Sequence, residues 1–416
     1  MVRPEAYQSN RYSPSLTAHK LERKIMKTSC NNEISQTIFI ILTVLLSIST
    51  TIAYPPDNAA VLYYRACQWY QEEPEMEQML SDLSMGKIEV NEKIKKFVKS
   101  NKRAIDFAIA ASGVTNCDWG MDYSKGMATV LPPLHTFKKL ARLILADAKI
   151  MAEKCDYKSA IDHCLSLERF ARHVSDRSMM TYLFGLAINK EADKYIQDVL
   201  VNMPEDLEML NWLKNQLVQI DSKSFSFKAC VDYENEVVMA FMIKENITRL
   251  LPIENWEVPP FVSKTAEKWL LAADEQFLAS NRAYWKKLIS KIKAALDMPY
   301  PKAYAELRRL CEKPEKDIID NPDATLTTIL LPAFDKTYSV GIREKNLPNV
   351  IRAAIEIYLI KARTGKLPDA LPDGLPGDLF SGKDFKYEKT VNGFILHCQG
   401  KDLSKDKIYK YEFKVK

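Results

Sequence analysis

Glycine is scarce in this chain, with 12 residues among 416. Gly-rich phosphate loops and many-stranded sheets draw on glycine for tight turns, so the shortage favours helices. Catalytic signatures are missing as well. No G-x-S-x-G, H-E-x-x-H, C-x-x-C-H, P-loop or G-x-G-x-x-G occurs, which leaves no function to be read from those motifs. The eight cysteines contain no C-x-x-C pair. An excess of one charge is also lacking. Residues 1–53 hold six bases and three acids, so the remainder carries 53 bases against 51 acids. That balance gives no electrostatic case for nucleic acid as a partner.

One long apolar run is present, at residues 37–53, seventeen residues without a charge. Lys24 and Lys27 precede it, and Thr51 and Ala53 place small residues where a signal peptidase reads. Two readings stand: a cleaved signal peptide, or an uncleaved anchor at the lower limit of length for a bilayer. Met26 offers an alternative start, which would leave residues 1–25 an untranslated polar leader. The organisation expected is therefore a leader at 1–25, a signal peptide or membrane anchor at 26–53, a helical body at 54–345, and a helix plus β module at 346–416.

The body reads as helices with short breaks. Helices are expected over 58–70, 76–83 and 89–111. Residues 134–200 show the clearest packing order. Phe137, Leu140, Ala141, Ile144, Leu145 and Ala148 recur at helical steps. Cys155-Asp156 interrupts them, and Ala160, Cys164, Leu167 and Ala171 begin a second face. Asp176 is expected to cap a third helix, which opens at Met179 and is apolar nearly all round. That makes it the expected buried centre, with Leu183 and Phe184 in the core. Further helices are expected over 205–220, 225–251 and 263–296, and a polar surface excursion over 313–323. The last helix is expected to start at Asn346-Leu347-Pro348, bury Ile351, Ala354, Ile355, Tyr358 and Leu359, and end at Gly365. Residues 385–389 and 394–398 then alternate around Asn392-Gly393, a hairpin signal, and 409–415 reads as a third strand. The fold class expected is mainly α: an irregular body of helical hairpins with a small C-terminal antiparallel β module.

The candidate binding loop is Cys117, Asp118, Trp119, Asp122, Tyr123, Ser124 and Lys125, which mixes an aromatic with ionisable groups beside a turn. The competing reading is a loop pinned to the body by Trp119, with both aspartates making turns. Cys155, Asp162, His163, Cys164 and His173 are the most metal-like group. Their spacing is wrong: ten helical residues put His163 and His173 roughly 15 Å apart, so surface histidines and no metal are expected. Glu168 and Arg172 form an i,i+4 pair, read as a solvated helix face. No cofactor is implied. Cys155 and Cys164 are too far apart to bridge, and a Cys67–Cys117 disulfide stays open.

Three resemblances can be stated. Cys155-Asp156-Tyr157-Lys158-Ser159-Ala160-Ile161 resembles the inter-helix turn of a tetratricopeptide repeat, with Cys155 in place of glycine, and implies a helical hairpin. Gly365-Lys366-Leu367-Pro368-Asp369, with Asp378-Leu379-Phe380-Ser381-Gly382 and Gly400-Lys401-Asp402, resembles the tail of type II secretion pseudopilins. It implies a helix leading through turns into a small sheet. The stretch from Pro56-Asp57-Asn58-Ala59-Ala60 through Asp118-Trp119-Gly120 to that tail is similar to exported helical proteins of planctomycete-type bacteria, a family that implies no catalytic residues. The function expected is an exported or membrane-anchored envelope protein that binds a protein or a small ligand. The membrane would be a partner through residues 37–53 if they stay uncleaved. The alternative is an envelope hydrolase whose carboxylates, such as Asp118 and Asp122, are brought together by folding.

Overall fold

Caps and breaks decide where the helices fall. In the computed structural model, residues 57–203, 206–221, 226–247, 260–271 and 273–415 are described. The leader and the apolar run at 37–53 lie outside them. Asn58 starts α1 (Ala59–Trp69) by accepting from the Ala60 N–H at 3.1 Å. After α2 (Pro74–Ser84), the helix expected over 89–111 is two: α3 (Glu92–Ser100) and α4 (Lys102–Ser112). Asn101 separates them. It is wholly buried, and its side-chain oxygen accepts from the Gln71 N–H at 2.7 Å.

The hairpin of α5 (Leu134–Glu153) and α6 (Tyr157–Val174) follows the apolar periodicity, and the two helices pack on each other. Cys155 turns the chain in the left-handed region, at φ 61°, and Asp156 caps α6. α7 (Met179–Asn202) departs from expectation in two ways. Its cap is Ser178, which accepts from the Thr181 N–H at 3.2 Å, because Asp176 is turned towards Tyr123. Its apolar surface is not all covered: Met180 is exposed, and Leu183 and Phe184 are half-buried.

Beyond it come α8 (Leu207–Asp221), α9 (Phe227–Phe241), the single turn α10 (Lys244–Ile247), α11 (Pro260–Leu271) and α12 (Glu275–Ala295). The single helix expected over 263–296 is thus broken, because Asp274 caps α12 by accepting from the Phe277 N–H at 2.8 Å. α13 (Tyr300–Asp317) runs through a buried Pro314 into the stretch read as a surface excursion. α14 (Thr325–Leu330) precedes the longest helix, α15 (Phe334–Thr364). α15 starts well before Asn346 and crosses the boundary expected at 345/346. Its first half buries Ser339, Glu344 and Asn346 beside Phe334, Tyr338 and Ile342, so polar residues interrupt the apolar face that would announce it. Pro348 lies inside the helix and withholds an N–H from the Glu344 carbonyl.

Two apolar cores result. One gathers α1 to α8, the start of α13, the second half of α15 and the C-terminal module; the other gathers α9 to α14. α7, α13 and α15 contribute to both. Tyr182, Leu186 and Phe334 enter the second core, whereas Ile196, Val199, Ile351 and Ile355 enter the first. α7 and α15, which pack on each other, form the seam of the molecule.

Strands β1 (Lys386–Thr390), β2 (Gly393–His397) and β3 (Lys410–Lys414) make an antiparallel sheet in that order. Thr390 pairs with Gly393, so the turn residues are Val391-Asn392, one position earlier than the sequence suggests. Gly393 is needed for space: a Cβ there would lie 2.0 Å from the Phe413 carbonyl oxygen. The stripe Ile351, Ala354, Ile355, Tyr358 and Leu359 is buried throughout. Tyr358 lies over Phe394 and donates its hydroxyl to the Lys414 carbonyl at 2.6 Å. The chain is mainly α with a small antiparallel module, and fifteen α-helices are found among the described residues. None of those helices is long and apolar enough to cross a membrane.

Candidate functional site

The loop from Cys117 to Lys125 is held in place group by group. Asn58 and Asp118 exchange two hydrogen bonds, at 2.7 and 2.8 Å. Trp119 is buried against Tyr63 and Phe137, with ring centroids 5.6 and 4.8 Å away, and its indole N–H donates to the His173 carbonyl. Asp118 Oδ1 accepts from the Gly120 N–H at 2.9 Å. Asp122 caps a 3-10 turn, taking the Ser124 N–H and hydroxyl, and lies 3.6 Å from Lys125. Tyr123 donates to Asp176. Burial pushes the Cys117 thiol up to about 12, so it is no nucleophile. The two aspartates are spent on separate turns and converge on nothing. The loop matches the pinned alternative. Cys67 and Cys117 are both free. Cys117 lies beside the Ala60 N–H, and Cys67 is two helical turns on, roughly 10 Å up the axis and out of disulfide reach.

The residues weighed as metal-like also separate. No group of three His, Cys, Asp or Glu among the described residues could hold a metal. His163 is not a surface histidine: it is 8 % exposed and lies between the Ser159 carbonyl at 3.0 Å and Asp147 Oδ2 at 3.2 Å. Burial acts to raise the Asp147 carboxyl, but His163 and Lys102 outweigh it and hold the group below its ordinary range.

The polar cluster that adjoins open space lies at the seam. A half-open cavity of about 200 Å³ is lined by α6, α7, α8, α15 and the turn before β1. α6 brings Glu168 and Arg172, α7 brings Asn189, and α15 brings Glu344, Lys345 and Arg352. Leu186, Leu217 and Ile220 add apolar wall. Glu168 is 3 % exposed, so the pair read as a solvated face is an interior one. Asn189 is 6 % exposed and donates to Asp193 Oδ2 at 2.5 Å. Its own side-chain oxygen has no hydrogen-bond partner among the described residues, nor has Asp193 Oδ1.

The charges there are unequal. Asp193 lies one turn behind Asn189 and is wholly buried. Burial, with Glu168 and Glu344 adding repulsion, raises its carboxyl well above the ordinary range and favours the neutral acid. Glu344 has Lys190 at 3.3 Å and Arg343 at 3.2 Å. The Arg352 guanidinium donates to the Leu217 carbonyl at 2.8 Å. A mixed polar lining, a preformed space and a buried acceptor without a donor are the features of a small-ligand site.

Comparison with family models, curated proteins and solved structures finds no match. The helix–turn–sheet order of the tail therefore stands as geometry alone.

Sequence reasoning missed Asn189, Asp193, Glu344, Lys345 and Arg352. One signal was present: Asn189 and Asp193 are polar residues one turn apart in a helix otherwise buried at Leu186, Ala192 and Ile196. Glu344 and Lys345 gave none, because their helix was read as starting at Asn346; Arg352 fell inside the expected helix but off its apolar stripe, where an arginine reads as solvated.

Proposed function

We propose that this is an exported helical protein that binds a small polar ligand in the seam cavity. The observation that carries the reading is the Asn189 side-chain oxygen, buried at the cavity wall and lacking a donor among the described residues. Leaving such an acceptor unmade costs about 1–3 kcal/mol, which a ligand or an ordered water would relieve after a small turn of the Asn189 amide towards the cavity. The alternative as a hydrolase finds less support. Asp193, the carboxyl favoured as a neutral acid, is not part of the cavity wall, and Glu344 is tied to Lys190 and Arg343. Neither is placed as a free acid or base against a bound molecule. A protein-docking face finds less support too. The apolar groove at Leu183, Phe184 and Ala187 is no larger than the cavity and is flanked by Lys138 and Glu191. Export rests on the order of basic flank, apolar run and small residues ahead of Tyr54.

A thermal-shift screen against small polar metabolites tests the binding. A ligand at one hundred times its Kd should stabilise the fold by about 2.7 kcal/mol. Asn189→Leu, which fills the space with apolar atoms, should abolish that gain, and Lys345→Gln at the half-buried rim should weaken it. A screen with no hit, or a hit indifferent to both substitutions, would overturn the reading. Cell fractionation tests export: full-length protein in the cytosol would contradict it.

A further inference from the structure

We infer that the last two turns of α6 form an oxyanion site that receives the acidic end of the ligand. This rests on the seam cavity being a ligand site and names the ligand class. A second recess of about 580 Å³ lies beside the cavity, and Arg172 and Ile220 line both, so the two spaces are neighbours across those side chains. Arg169, Arg172 and His173 bring cationic or protonatable groups to the recess from one helix; Thr115 and Gln219 add polar groups. None of its nine lining residues is acidic.

The blander account is helix capping. Cations in a last turn complement the negative end of the dipole, which suits Arg172 and His173. It does not explain Arg169. That residue stands a turn earlier, where the dipole effect has faded, and its three-residue spacing from Arg172 brings like charges together at a cost. Its guanidinium is also positioned, donating to Gln216 Oε1 of α8 at 3.1 Å. Arg169, half-buried and held by a neighbouring helix, is the guanidinium fork suited to carboxylate or phosphate; Arg172 adds positive potential beside it while also facing Asp193.

The adjacency of the two spaces sets the rest of the ligand. With an oxyanion in the outer recess, the body of the molecule would pass Arg172, displacing its side chain, into the cavity against Leu186 and Leu217. A hydroxyl, amide or amine there would donate to the Asn189 side-chain oxygen once that amide turns towards the cavity. The class is a small organic acid, carboxylate or phosphate monoester, with a hydrogen-bond donor at its far end.

The test uses simple probes on the purified protein: inorganic phosphate and acetate, titrated against chloride at equal ionic strength and read by calorimetry and thermal shift. One or both should bind where chloride does not, and the better one names the head group. Arg169→Gln should weaken that binding about tenfold or more, and Arg169→Lys by less. Gln216→Leu removes the structural contact and keeps the cation, so binding should survive; this separates a lost charge from a loosened helix. Asn189→Leu should leave the simple anions unaffected. Failure of both anions to bind above chloride, or binding unchanged in Arg169→Gln, would overturn the inference. A metabolite lost in Asn189→Leu but indifferent to Arg169→Gln would do so while leaving the proposed function intact. Anion binding without any metabolite hit would do the reverse.

Discussion

Two polar clusters lie five residues apart on α6, and they are finished differently. At His163 the groups close on one another: both ring nitrogens have partners, and Asp147 receives His163 and Lys102, each at 3.2 Å. At Glu168 the cluster stays open. Asn189 and Asp193 each keep an oxygen without a partner among the described residues, and Asn189 lines a cavity. A buried network that satisfies itself fixes the fold, whereas one that stops beside a space leaves an interaction to be supplied. The Cys117–Lys125 loop belongs with the first kind, although it resembled the second in sequence.

The largest expected effect tests that placement of the loop. Trp119→Ala removes a side chain only 7 % exposed, together with its contacts to Tyr63 and Phe137. It should cost about 3–5 kcal/mol in denaturant unfolding. An unchanged midpoint would show that the loop is not pinned, and would return residues 117–125 to candidacy as a binding surface.

Next comes the closed cluster. Asp147→Asn keeps the shape but removes the charge facing His163 and Lys102, and should cost about 2 kcal/mol at neutral pH. The sign with pH follows from the depressed carboxyl. Its contribution is present above the ordinary 3.8 and is lost as pH falls through the lower folded value. Wild type and variant should therefore converge in acid. A gap that persists at the acid end would mean that packing, not charge, holds this cluster.

Asp193→Asn should move stability the other way. The folded state favours the neutral acid, so the ionised unfolded chain is increasingly preferred as pH rises above 3.8 towards the folded value. The amide removes that penalty and should stabilise the protein at neutral pH by on the order of 1 kcal/mol. It should also flatten the pH dependence there. Destabilisation at neutral pH would mean that Asp193 is ionised and paired, and that the cluster is closed after all.

These clusters explain what the sequence could reveal. Phe137, Leu140, Ile144 and Ala160 are buried as their spacing predicts, because burial of an apolar stripe is a local property of one helix. Burial of His163 and Glu168 is not local. It depends on partners from other helices: Asp147 and Lys102 for the first, and for the second a seam formed with α15, far along the chain. Pro348 looked like a helix start because proline is favoured there, and no unbroken apolar face ahead of it contradicted that. The polar first half of α15 is buried at Ser339 by Asp402 of the module, 3.1 Å away, a contact that no window of sequence contains.

The smallest effect is a control on the comparison, at the turn that sets where α6 begins. Cys155 holds φ 61° without being glycine. Left-handed backbone costs a residue with a Cβ roughly 1–2 kcal/mol, and glycine returns part of that through its freer unfolded chain. Cys155→Gly should therefore stabilise the protein by about 0.5–1 kcal/mol in the same denaturant assay. The side chain is exposed, so little packing is lost. Because the change lies in the backbone, it should add equally to Asp147→Asn and Asp193→Asn, and leave ligand and anion binding at the open end untouched. Loss of stability would show that the thiol holds the turn through Tyr157. A shift in binding would show that the two ends of α6 are mechanically coupled, and that the closed cluster takes part in the site.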